Sequence, residues 1–287
     1  AGPGGVGWCG CSGTTAPADR GAGGWRAPAR APPLLSPALR RRARLGPEHV
    51  PPFTRQLPPS IADPPCPFRS RAAGALTARV ADHVVQGRVI FPGAGYLEMA
   101  RAACSAVAAP PEAALRSIFF LQPLALSLQA SGLHIDCTLS AGQFEVHSGD
   151  ASAGSLVDAT LHCSGARARD TYAEWRAADV LATRACCSPH VASVPTLYEA
   201  CCSIGLQYGP DFRTLLQAWG GGGVAASRLR PRSARQGTAV HPADLDGALQ
   251  LGGVVTTASS AAGTPLPFAG GAVLCRGPAG HLGAGAW

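Results

Sequence analysis

Two short stretches of the chain carry residues that could move protons. In "DHVVQGRVIFPGAGYLEM" (82–99), His83 stands four residues before Gly87 and nine before Pro92, and the chain then turns helical. Histidine titrates near neutrality, so it suits a base. The N–H groups of Gly93 and Ala94 would lie unpaired at the helix start, a ready site for an oxyanion. A base beside an oxyanion site is what proton abstraction next to a carbonyl needs. The competing reading is a strand-end histidine before an ordinary loop-to-helix turn. Against it, and for the base, Gly87 permits close backbone approach and Pro92 suits the edge of the helix start.

The second stretch is "HPADLDGALQ" (241–250). Asp244 fits a helix-capping role. Asp246 lies inside an apolar run, where a carboxyl is poorly solvated and its pKa should rise. It could then stay protonated and act as an acid. Gln250, four residues on, shares its helix face and could orient the carboxyl. A third piece is "LQYGPDF" (206–212), where Gly209–Pro210 marks a turn and the Tyr208 hydroxyl could reach a site. The alternative for Tyr208 is a packed aromatic beside a turn. If the two halves of the chain meet, a neutral His83 could take a proton from the carbon next to a thioester. A protonated Asp246 could then give one to a hydroxyl leaving the next carbon. That is elimination of water, and it needs neither metal nor redox cofactor.

The elements that must position these groups follow from periodicity. The stretch 93–109 reads as a helix, with Leu97, Ala100, Cys104 and Val107 on one face. Pro110–Pro111 end it. The stretch 75–85 is expected to contain a short strand. Strand-like segments follow at 114–126, 132–141, 142–149 and 155–165. In the second half, 194–206 and 241–260 read as helices, and 224–231 and 265–277 as strands. Each half thus holds a helix beside strands, which suggests two similar small domains side by side. The boundaries read as a disordered or linker segment 1–48, a first domain 49–166, a connector 167–190 and a second domain 191–287.

Composition narrows the class. The chain has 287 residues, 46% of them hydrophobic, enough for a proper core. Its 24 basic residues are all arginine, against 17 acids. Residues 1–60 hold eight of those arginines against Asp19 and Glu48, so most of the net charge of +7 lies there. The remainder is nearly neutral, which argues against a nucleic-acid-binding domain. "GPGGVG" (2–7) fits a dinucleotide fingerprint by letter but lacks the strand before it and the helix after it. Most of the 11 cysteines, odd in number and without a secretory start, are read as reduced, small and buried. No apolar run is long enough to span a membrane. These features point to a cytoplasmic protein, with organellar targeting left open.

The motifs together resemble the dehydratase domain of modular polyketide synthases. That family carries H-x-x-x-G-x-x-x-x-P, here His83, Gly87 and Pro92. It carries Y-G-P-x-F, here Tyr208, Gly209, Pro210 and Phe212, and D-x-x-x-Q/H after a His-Pro, here Asp246 and Gln250. "FLQPLAL" (120–126) and "LPF" (266–268) are similar too. The resemblance covers about residues 50–287 and implies an α+β double hotdog, two curved antiparallel sheets each wrapped around a helix. It implies His83 as base, Asp246 as acid, and Tyr208 and Gln250 as supporting hydrogen-bond partners.

The implied substrate is a β-hydroxyacyl thioester on the phosphopantetheine of an acyl carrier protein. No cofactor would be bound directly. The implied partners are that carrier, neighbouring synthase domains and a second copy in a homodimer, with neither nucleic acid nor membrane. The family has further strands after the acid, whereas 41 residues follow Asp246 here. The second hotdog is therefore expected to be incomplete. Two alternatives stand beside dehydration: cyclisation or double-bond isomerisation on the same fold, and a truncated, inactive structural domain.

Overall fold

A computed structural model of the chain describes residues 55–56, 68–107, 114–127, 132–150, 159–168, 185, 187, 191–221, 224–232, 238–252 and 269–274. The expected disordered segment 1–48, most of the connector and "LPF" (266–268) lie outside the described residues.

In chain order the elements are β1 (Arg55–Gln56), β2 (Phe68–Arg71), α1 (Ala75–Val80), β3 (His83–Val85), β4 (Arg88–Val89), α2 (Gly93–Val107) and β5 (Ala114–Phe120). They continue with β6 (Leu133–Ser140), β7 (Gln143–Asp150), β8 (Thr160–Ala168), β9 (Val191–Ala192), α3 (Val194–Ser203) and β10 (Leu206–Tyr208). The last are β11 (Leu215–Gly221), β12 (Val224–Leu229), α4 (Pro242–Gln250) and β13 (Ala269–Leu274).

The large sheet has seven strands in the order β1-β2-β6-β7-β8-β5-β13, every pairing antiparallel. Its register follows from sequence. Ala141 and Gly142, both at positive φ (47° and 84°), make the two-residue turn between β6 and β7. Ile135 and Cys137 on β6, and Phe144 and Val146 on β7, point inward and are buried, while Glu145 and His147 alternate outward. Arg69 grips Asp136, its register partner across β2 and β6, through two hydrogen bonds of 2.7 Å.

Helix α2 lies against this sheet, touching β5 to β8, and is buried from Ala94 to Cys104. The four alanines in that buried stretch and Gly95 let the sheet and the Phe91 ring come close. A Cβ on Gly95 would sit 2.6 Å from that ring.

The second half has a three-stranded sheet, β12-β11-β9, with α3 and α4 packed on it. Three contacts tie the halves together. Strand β10 pairs with β3, placing Tyr208 opposite His83. Helices α2 and α4 touch, and one core cluster runs from the large sheet to Phe212, Ala243 and Leu245. Strand β13 joins the edge of the large sheet beside β5.

Two elements go beyond the sequence expectations. The short strand expected within 75–85 is His83–Val85, and Ala75–Val80 ahead of it is a helix. The Thr77 hydroxyl donates to Ala72 O at 3.1 Å and closes that turn locally. Strand β11, a central element of the second sheet, is absent from the sequence reading. Its "LLQAWGG" has no alternation and ends in glycines.

Candidate active site

The site forms where β3, β10, α3 and α4 converge. His83 is buried, and its Nδ1 lies 2.7 Å from the carbonyl oxygen of Ile90. A carbonyl only accepts, so Nδ1 carries the hydrogen and Nε2 keeps a free lone pair. The rings of Phe212 and Tyr208 flank the imidazole, with centroids 5.3 and 5.7 Å away. Ile90 is itself held: its neighbour Phe91 donates its N–H to Leu124 O (2.8 Å), and Leu126 N donates to Val89 O (2.9 Å). The "FLQPLAL" segment thus serves as a strap that fixes the carbonyl orienting His83.

Asp246 lies on α4 with Oδ1 3.9 Å from His83 Nε2. Both side chains are nearly sealed from solvent, at 6% (Asp246) and 8% (His83) exposure. Burial pushes the Asp246 carboxyl above its usual range, opposed by nearby His83 and by the hydrogen bond from Gln250. Gln250 Nε2 donates to Asp246 Oδ2 at 2.9 Å and to Phe212 O at 3.1 Å. Its Oε1 accepts from the Tyr198 hydroxyl at 3.1 Å.

Helix α4 is aimed by its start. His241, not Asp244, is the cap: its Nδ1 accepts from Ala243 N at 3.2 Å. Burial and the neighbouring Arg232 lower the His241 pKa to about 4, so the ring stays neutral and can accept. Asp244 instead pairs with Arg232 at 3.0 Å. The segment before the cap is held from the first half, where fully buried Glu98 on α2 accepts from Ala239 N at 2.9 Å. Gly247 lets α4 lie close to Thr214, just ahead of β11, and to Leu229 on β12, since a Cβ there would collide with the Thr214 hydroxyl.

Gly209 and Pro210 form the turn after β10. Gly209 N donates to Asp82 O (2.8 Å), and Asp211 N to Asp82 Oδ2 (2.8 Å). A Cβ on Gly209 would lie 2.6 and 2.7 Å from the Asp82 carboxylate oxygens, so only glycine fits.

Gly87 has a different role from the close backbone approach expected of it. Gln86 and Gly87, at φ 49° and 75°, form the β3–β4 turn, and a Cβ on Gly87 would meet nothing within 4 Å. Pro92 is buried ahead of α2 and accepts from Gly95 N at 2.8 Å. Gly93 packs under the Phe120 ring, and Ala94 is fully buried.

The structure therefore brings His83, Asp246, Gln250, Tyr208 and Phe212 into one cluster. Gly209 and Pro210 shape its border, Gly87 lies at a hairpin tip, and Pro92, Gly93 and Ala94 stand at the start of α2. Sequence reasoning missed Tyr198 and Asp82. Asp82 had a weak signal in its place next to His83. Tyr198 had none, because an aromatic on an amphipathic helix reads as core. Among the described residues no group of three His, Cys, Asp or Glu could hold a metal ion. No helix among them is long and apolar enough to cross a membrane.

Residues 61–149 match the family model described as polyketide synthase dehydratase domain, and residues 177–285 match polyketide synthase dehydratase N-terminal domain. Polyketide synthase PksM of Bacillus subtilis is 27% identical over 66% of this chain and 5% of its own length. Polyketide synthase ThaG of Burkholderia thailandensis is 34% identical over 60% of this chain and 3% of its own length. The chain thus spans only a small part of these large synthases. Among solved structures, the dehydratase domain from the CurK module of curacin polyketide synthase superposes with a TM-score of 0.63 at 24% identity. That match covers 77% of this chain and 81% of that one. The shared fold is the double hotdog.

Proposed function

Because the chain belongs to the dehydratase family of polyketide synthases, we propose that it removes water from a β-hydroxyacyl thioester, leaving an α,β-unsaturated acyl chain. The observation that carries this reading is the buried 3.9 Å approach of His83 Nε2 to Asp246 Oδ1. One partner offers a lone pair; the other, made a weak acid by burial, offers a proton.

In this reading His83 Nε2 takes a hydrogen from the carbon next to the thioester. Those electrons form the C=C bond, and the C–O bond to the β-hydroxyl breaks. The leaving oxygen collects the Asp246 proton and departs as water. One proton has moved to His83 and one from Asp246, so the pair is reset by returning a proton from imidazolium to carboxylate. Ile90 O stabilises the imidazolium, since it already accepts from the opposite ring nitrogen. The thioester oxygen gains negative charge in the transition state, and we assign its stabilisation to the amides of Gly93 and Ala94 at the start of α2. We place the Tyr208 hydroxyl on the substrate side, because its ring stands beside His83. The phosphopantetheine arm of an acyl carrier protein would deliver the acyl chain, with no bound cofactor needed.

The test is incubation of the chain with a β-hydroxybutyryl thioester on a carrier protein or on a short pantetheine mimic. The expected product is the crotonyl thioester, 18 mass units lighter by the loss of one water (about 18 Da). A cyclised or positionally isomerised product, or none from folded protein, would sink the reading.

A further inference from the structure

We propose that Tyr198 is a positioning residue that acts through the Gln250 amide to confine the acidic proton of Asp246 to Oδ1. The proposal rests on the dehydratase reading for its use in catalysis, but its geometry stands apart from it.

The chain of hydrogen bonds has one possible direction. Leu215 N on β11 lies 3.2 Å from Tyr198 Oη. A backbone N–H can only donate, so it occupies a lone pair of the hydroxyl and leaves the hydroxyl hydrogen free. That hydrogen goes to Gln250 Oε1 at 3.1 Å. The amide nitrogen must then face the other way, where it donates to Phe212 O at 3.1 Å and to Asp246 Oδ2 at 2.9 Å. A flipped amide would set its oxygen against the Phe212 carbonyl, which can only accept. Both N–H bonds of Gln250 are thereby spent. A proton on Asp246 Oδ2 would meet one of them head-on, so the neutral carboxyl carries its proton on Oδ1. Oδ1 is the oxygen that faces His83. Gln250 and Tyr198 are buried, so the relay does not compete with bulk water.

The groups facing Asp246 come from every neighbouring element. They are His83 from β3, Tyr208 from β10, Tyr198 and Cys201 from α3, and Gln250 from its own helix. Burial raises the Tyr198 pKa to about 12, so its hydroxyl remains a donor throughout the working range. The Arg213 guanidinium lies 5.5 Å from the centre of the Tyr198 ring and covers it.

Tyr198→Phe removes the hydroxyl alone. With the relay broken, Gln250 donates less firmly to Oδ2, the carboxylate loses support, and its protonation midpoint rises. The expected kinetic result is a fall in kcat of about 5- to 10-fold, the size of one lost hydrogen bond, with KM steady. The basic limb of the pH–kcat profile, which reports the acid, should move to higher pH. A readout independent of turnover is the infrared carbonyl stretch of protonated Asp246, identified by its loss in Asp246→Asn. Its titration midpoint should move upward in Tyr198→Phe. In a Gln250→Ala background, Tyr198→Phe should move neither limb nor midpoint.

Tyr198→Phe also leaves Leu215 N without its partner. A 3,5-difluorotyrosine at position 198 therefore serves as the second variant. It keeps both bonds, donates more strongly, and should move the midpoint downward. A midpoint that stays put in folded Tyr198→Phe or in the fluorinated protein overturns the proposal, as does an equal shift without Gln250. If the midpoints move as stated but no β-hydroxyacyl thioester is consumed, the relay stands and the dehydratase reading falls.

Discussion

Glu98 is the residue whose loss should be felt most widely. It is fully buried on α2, and Arg101 beside it is 8% exposed. Its carboxylate accepts from Arg101 Nε (2.6 Å), Arg101 Nη2 (2.8 Å) and Ala239 N (2.9 Å). Glu98→Ala removes the carboxylate that Arg101 Nε and Nη2 hold in the core, and breaking a buried pair costs about 3–5 kcal/mol. It also removes the charged acceptor of the Ala239 N–H, at about 1–3 kcal/mol more. Against a urea slope of at most about 3 kcal/mol per molar, the unfolding midpoint should fall by about 1 M or more. Because Ala239 leads into the His241 cap and α4, turnover should fall even where the variant is folded.

The cause can be separated from the packing loss. Glu98→Leu with Arg101→Leu removes both charges and should recover much of the stability, since apolar replacement of a buried pair is often neutral. Urea titration followed by tryptophan fluorescence and circular dichroism makes the measurement. A Glu98→Ala midpoint within about 0.3 M of wild type would refute the reasoning. So would a double variant no more stable than the single one.

Three further outcomes follow from the same geometry. Gly209→Ala forces a methyl group against the Asp82 carboxylate and should cost about 1–3 kcal/mol in denaturant titration, with reduced turnover. Asp246→Asn should be more stable than wild type at pH 8. A carboxyl whose folded pKa is raised contributes most below the unfolded value of about 4, and that contribution is lost as pH rises through the folded pKa. The gap between the two proteins should thus close as melting is repeated toward pH 4. His241→Ala removes the cap of α4 and should lower stability by about 1 kcal/mol, with recovery in His241→Asn, as thermal melts would show.

Much of the candidate site was legible because the chemistry proposed for it needs particular residue types. A histidine, an aspartate in an apolar run and a glutamine one helical turn later announce themselves. The buried carboxyl and its Gln250 partner stand as the spacing implies. The long helix and the strands β6 and β7 were legible from their periods. What joins the halves was not. Strands β3 and β10 have three residues each, too few to show a period, yet their pairing sets Tyr208 against His83. Helix α1 was hidden because its six residues include Val80 and Thr77, which favour strands. The His241 cap was hidden because capping by a neutral imidazole depends on burial, which composition does not reveal.

The central claim is that His83 and Asp246 work as one acid–base pair, and turnover of a β-hydroxyacyl thioester by His83→Ala and Asp246→Asn tests it most directly. Each variant, shown folded by circular dichroism, should lose about 10²–10⁴-fold in kcat. The double variant should be little worse than the poorer single one, because neither group acts alone. Either single variant keeping wild-type turnover, or the two losses multiplying in full, would contradict the account.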